Sequence, residues 1–323
     1  MDVNVHKTQV INEKTKLERA KKIIKEDWQV YVLLLPLLIW LFLFAYKPMY
    51  GLAIAFQDYN LFKGISGSDW VSFDNFRELF VGSGSAYFWR AFVNTCAISL
   101  YTLIFTFPIP IILALFFNEV KDGLFRRGVQ TAMFLPHFLS EVVLAGIVIS
   151  FLQPNTGIIN VLLQRIGIID EGIYFLTKPE WFRPVYILSG VWKEAGFGSI
   201  VYFAALSGIS PDQYEAARVD GASKIQQMIY ISLPGITPTI IIMLIIRIGK
   251  LLSVGFERVL LLYQPVTYEK ADILSTYIYR LGLTGSNDFS LATAAGLFNS
   301  IIGFILVVAA NKISKKLSET VLW

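Results

Sequence analysis

Four ionisable residues stand inside otherwise apolar runs: Lys193 and Glu194 in one, Arg247 and Lys250 in another, with Glu257 and Arg258 at the far end of the second. A charge near the centre of a bilayer costs about 2.5–3.5 kcal/mol on insertion scales, so each must face protein or a watery cavity. Arg247 and Lys250 are three residues apart and share a helix face. Gly249 and Gly255 beside them permit close helix packing or a bend. Two bases on one face can pair with carboxylates of an anionic sugar in a translocation path. They can equally pair with Glu194 inside the protein or reach lipid headgroups. Pyranose C–H faces stack on aromatic rings, which makes Trp192, Phe197, Tyr202 and Tyr263 candidate sugar contacts. Belts of Trp and Tyr at the membrane interfaces account for Trp28, Trp40, Trp89 and Trp181 without any ligand.

Other chemistries lack their residues. His6 and His137 are the only histidines, no H-E-x-x-H or Cys/His cluster occurs, and so no metal site is expected. His137 follows Pro136 and reads as a local hydrogen-bonding residue. The single cysteine, Cys96, lies in an apolar stretch and excludes a disulfide framework. No nucleophile–base pairing stands out, so no catalytic residue is assigned. The chain has no G-x-x-x-x-G-K-[ST] phosphate loop and cannot hydrolyse ATP itself. No cofactor is expected to bind it.

The elements that carry these residues are membrane spans. With 55% hydrophobic and 16% charged residues among 323, the chain is a polytopic membrane protein of all-α class. Six transmembrane helices are expected, at about 30–46, 92–117, 129–151, 184–208, 235–257 and 291–310. Residues 1–29 form a basic segment, 30–310 the membrane domain and 311–323 a tail. The basic segment has no apolar core followed by a small-residue cleavage site, so it is no cleavable signal. Leu17, Ala20, Ile24 and Trp28 lie at helical spacing with Lys16, Arg19 and Lys22 off the stripe. An amphipathic helix on the inner membrane face or a solvated tail fits equally. With the first residues inside, the inner pieces hold 15 Lys and Arg and the longer outer pieces 10, which places both termini in the cytoplasm. The short "KDGLFRR" and the "KISKK" tail weigh most. The anionic inner leaflet explains this basic charge without nucleic acid. The outer "KGISGSDW" and "VGSGSAYFW" read as ordered turns.

One polar stretch, residues 209–234, interrupts the apolar runs. Ser210 is an N-cap, Pro211 the first helical residue, Asp212 a first-turn acid, and Gln213 can reach back to the Ser210 backbone. A short helix over Asp212–Val219 follows. Gly221 then permits the left-handed residue of a sharp reversal, and a second helix runs from Ala222 to Leu233, ending at Pro234. Two stiff helices at an angle can transmit force; they can also serve as a hairpin that stabilises this chain alone.

"EAARVDGASKIQQMIYISLP" resembles the EAA loop of the membrane subunits of bacterial ATP-binding-cassette (ABC) importers. Glu215, Ala216, Ala217, Asp220, Gly221, Ile231, Leu233 and Pro234 all match that pattern. "YKPMYGLAIAFQDYN", "FDNF", "WKEAGF" and "VGFERVLLLYQP" are similar to the carbohydrate-uptake branch, and to permeases for polysaccharide fragments such as aldouronates or alginate. The resemblance implies a type I importer permease in a bacterial inner membrane. Its loop would dock in a cleft on a separate ATPase, with Ala216, Ala217 and Gly221 allowing close approach and Glu215 and Asp220 presenting acids. It further implies two ATPase subunits that use ATP and Mg, a second homologous permease in an unlike pair, an extracytoplasmic binding protein and an oligosaccharide substrate. A permease for a non-sugar solute, an ion-coupled carrier and a membrane enzyme are the alternatives. The last two want inverted repeats or converging acids, which the sequence does not display.

Overall fold

The computed structural model describes residues 25–249, 251–252, 254–285 and 287–317. Lys250, most of the basic amphipathic stripe and the end of the tail lie outside the described residues.

Helix α1 runs over Trp28–Phe56, longer than the span expected at 30–46. It passes Pro48 by widening: a π-type turn at Phe42–Tyr46 stands directly before it. The same device recurs at Met228–Ser232 ahead of Pro234. Proline lacks an N–H and clashes with the carbonyl four residues back, and a wider turn changes which carbonyls need donors. A two-residue antiparallel ladder, β1 (Gln57–Asp58) with β2 (Asp69–Trp70), and α2 (Asp74–Val81) lead to α3 (Ser85–Glu119), which breaks register at Phe107-Pro108.

The third expected span is not one straight helix. α4 (Leu124–Phe138) and α5 (Glu141–Phe151) meet at 105°. Pro136 stiffens the approach, and Ser140 starts a fresh helix by accepting a hydrogen bond from Val143 N at 3.3 Å. After α6 (Ile158–Arg165) comes α7 (Pro179–Leu206), then α8 (Pro211–Val219), α9 (Lys224–Gly235) and α10 (Thr237–Gly249). α9 and α10 meet at 62° where the fifth expected span begins, and the helix of that span runs over Thr237–Gly249, short of 257. α11 (Phe256–Leu262), α12 (Leu274–Tyr279) and α13 (Phe289–Leu317) complete the chain.

By length and apolarity α1, α3 and α13 can each cross a membrane, and five spans result if each bent pair counts as one. α7 has 28 residues, but Lys193 and Glu194 interrupt its apolar run.

α7 is the axis of the packing. Its first half joins Ile98, Ala145, Val259 and Ile273 through Phe182 and Tyr186. Its other half joins Ile111, Leu115 and Ile236 through Tyr202 and Leu206. At Gly196 the helix passes so close to the Met133 carbonyl that a Cβ would collide with it. A third cluster, Leu79, Phe88, Leu274, Tyr277 and Ala295, ties α2 and α3 to α12 and α13.

Candidate functional site

Five ionisable side chains meet beside α7. Glu141, the first residue of α5, accepts from Lys193 Nζ at 2.7 Å. It also accepts from Arg258 Nε at 2.9 Å and Nη2 at 3.1 Å, a two-pronged pair. Arg258 Nη2 stands 3.6 Å from Glu194, and Arg247 Nη1 stands 3.4 Å from the same carboxylate. Lys193 and Arg258 are 9% and 6% exposed, so their charges depend on these acids rather than on water. Tyr186 supports the group: Arg258 lies 5.4 Å from its ring, and its hydroxyl accepts from Gly255 N.

Two cavities flank the cluster. One, of about 220 Å³, lies along the first half of α7 and includes Ser99, Tyr186, Gly190 and Arg258. The other, of about 350 Å³, lies along the second half and includes His137, Lys193, Phe197 and Tyr202. Thr106, Glu141, Glu194 and Arg247 line both. In the second cavity the His137 and Phe197 rings stack at 3.9 Å, making a flat platform. The Thr106 hydroxyl is buried and has no hydrogen-bond partner among the described residues.

The candidate path residues are thus partly gathered. Lys193, Glu194, Phe197, Tyr202 and Arg247 converge on one cavity. Trp192 lines neither and is 45% exposed on the outside of α7. Tyr263 is elsewhere too, its ring 4.8 Å from Tyr268 in the segment after α11. Glu141 is the residue that sequence reasoning missed, and Arg258 had been placed only at a span end. An acid directly after Ser140 looks like ordinary N-terminal charge complementarity; the usable signal was a cap placed in mid-span.

The segment holding Tyr263 is pinned by polar contacts. Asn94 Nδ2 donates to the carbonyls of Glu269 at 3.1 Å and Asp272 at 3.0 Å, and Arg183 Nη2 donates to Asn94 Oδ1 at 2.8 Å. Asp272, fully buried, accepts from both Arg280 terminal nitrogens at 2.7 and 2.6 Å. Burial works against the Arg280 charge, but the bonds to Asp272 outweigh it and hold its pKa above the ordinary value.

The polar loop forms two helices joined at Gly221, whose φ is +81°. Ser210 caps α8 by accepting from Asp212 N. The reciprocal capping expected from Gln213 is instead built one helix later, where Ser223 and Gln226 cap each other. Glu215, Ala216, Asp220 and Gly221 are exposed, Ala217 is half-buried, and Leu233 and Pro234 lie where α9 approaches α10. Tyr214 and Ser232 hydroxyls meet at 2.9 Å and brace α8 against α9.

These features define a membrane transport subunit. Residues 106–319 match the model of the family described as binding-protein-dependent transport system inner membrane component, and the chain belongs to that family. It is a permease of the ABC importers' carbohydrate-uptake branch, with the type I permease fold, and a transport subunit rather than an enzyme. It is 42% identical over 311 residues to the polygalacturonan/rhamnogalacturonan transport system permease protein YteP of Bacillus subtilis (strain 168), covering 96% of this chain and 95% of that one. Protein LplB of the same organism is 41% identical, over 92% of this chain and 91% of its own length. A chain in the crystal structure of a bacterial ABC transporter involved in import of the acidic polysaccharide alginate is 50% identical. It has a TM-score of 0.85 and covers 93% of this chain and 99% of its own.

Proposed function

We propose that this chain is half of the translocation path of an importer for acidic oligosaccharides or polysaccharide fragments, with both termini in the cytoplasm. The observation that carries the substrate class is the ion cluster: three bases, Lys193, Arg247 and Arg258, meet two acids between two cavities. The excess base suits a carboxylate-bearing sugar, and the His137–Phe197 stack offers a ring face for it. The names of the relatives agree, since polygalacturonan and alginate are both acidic.

Coupling to a separate ATPase goes through α8 and α9, with Glu215, Ala216, Ala217, Asp220 and Gly221 at the contact and Leu233 and Pro234 at its base. Val219, Ile225 and Tyr230 are 88%, 67% and 74% exposed there, an apolar surface that suits a docked partner. One loop engages one ATPase subunit, so two ATPases and a second, unlike permease complete the machine. A binding protein delivers substrate outside; a neighbouring structure in the comparison holds a periplasmic protein with bound alginate pentasaccharide.

The test is reconstitution in sealed vesicles with ATPase and binding protein, with and without the second permease. ATP-dependent uptake of a galacturonate oligosaccharide is expected only with all parts present. Equal uptake of the methyl-esterified sugar would overturn the acidic class. Robust uptake without the second permease would establish a homodimer instead.

A further inference from the structure

Glu141 occupies a position that a substrate carboxylate would also fit. Its two oxygens take three charge-assisted hydrogen bonds from Lys193 and Arg258, at 2.7, 2.9 and 3.1 Å. Neither base can be left without an anion, because both are nearly buried. The two bases sit within α7 and α11, whereas Glu141 is the first residue beyond the 105° break between α4 and α5. The acid and the two bases are thus carried by different elements, so a rotation at that break would move the carboxylate relative to the bases. Glu141 lines both cavities, together with Thr106, Glu194 and Arg247. At the same junction the buried Thr106 hydroxyl, without a partner among the described residues, suits a sugar hydroxyl. Among the described residues Arg247 has hydrogen bonds of 3.4 and 3.5 Å to Glu194, loose enough to turn toward a second carboxylate.

We propose that Glu141 is a built-in counter-ion that a uronate carboxylate displaces during passage, which makes Lys193 and Arg258 specificity-determining residues. The exchange conserves charge at the bases: one carboxylate leaves as another arrives. A neutral sugar cannot complete it, because it would take Lys193 away from its paired acid and leave Arg258 only the longer contact to Glu194. The cluster therefore closes the path between the cavities and is opened by the anion it selects. This inference rests on the acidic-oligosaccharide reading and adds the residues that enforce it.

The experiment uses the complete complex in lipid nanodiscs without binding protein, and measures equilibrium binding of trigalacturonate and of its methyl ester. In Glu141→Gln the internal competitor is gone, and trigalacturonate should bind about tenfold tighter while the ester is unchanged. Glu141→Asp keeps the charge on a shorter arm, and should give an intermediate gain of about threefold, so the proposal is testable even where the glutamine variant does not assemble. Affinities that do not move in either variant, or that move alike for acid and ester, would overturn it and reduce Glu141 to a packing residue. Vesicle uptake by the unaltered complex separates the two levels. Absence of uptake of the acid sugar overturns the import reading and this inference with it. Normal uptake with unmoved affinities overturns this inference alone.

Discussion

Lys224, at the start of α9, donates from Nζ to Glu119 Oε2 at 2.6 Å, across 105 residues of sequence. Glu119 is the last residue of α3, so this pair ties the polar loop to the end of a membrane helix. Its partners are unequal, with side-chain exposures of 68% for Lys224 and 15% for Glu119. Such a pair contributes only about 0–1 kcal/mol to stability. In the proposed coupling, this contact would carry a push on α9 to α3.

Charge exchange tests that role. Glu119→Lys and Lys224→Glu should each lower substrate-stimulated ATPase activity about fivefold, an effect of about 1 kcal/mol, with assembly intact. The double variant restores an attractive pair and should recover most of the loss. A double variant no better than the worse single would show that the contact does not carry coupling.

Gly221 tests the elbow. Its φ of +81° is one that L side chains resist, and a Cβ there would meet no atom within 4 Å. The penalty of substitution is therefore conformational rather than steric, about 1–2 kcal/mol. Gly221→Val should cut substrate-stimulated ATPase activity about tenfold while the protein still inserts. Gly221→Asn should be far milder, because Asn tolerates the left-handed region. Normal activity in the assembled valine variant would refute the elbow's role.

Arg247 and Lys250 carry the third prediction. Replacing both with Gln should reduce uptake of a uronate oligosaccharide about fivefold more than that of a neutral one, in line with loss of about 1 kcal/mol of charge pairing. Equal losses for the two sugars would leave Arg247 as the structural partner of Glu194 alone.

Asp272 carries a prediction about stability. Buried and paired with Arg280 through two bonds, it leaves an uncompensated cation when neutralised. Asp272→Asn should cost about 3–5 kcal/mol, read as a large fall in thermal unfolding temperature of the purified protein. Adding Arg280→Met removes the stranded charge and should recover part of that loss. A single variant as stable as the parent would show that the pair is not structural.

The sequence by itself determined what depends on near neighbours in the chain. Ser210 and Pro211 begin α8 because capping needs only the next few backbone N–H groups, and Gly221 turns the chain because it alone lacks a Cβ. The same stretch, read as a pattern, identified the family. Tertiary structure decided the rest. Glu141 reaches Lys193 across 52 residues and Arg258 across 117, contacts set by how α5, α7 and α11 are rotated about their own axes. The 105° break that turns Glu141 toward α7 arises where Ser140 restarts a helix, in a stretch whose apolar length reads as one straight span. Trp192 and Phe197 look alike as candidates, yet helix rotation leaves the first outside both cavities and stacks the second on His137 in one of them. Local rules fix caps and turns within a few residues, whereas pairing between helices depends on the packing of every helix at once.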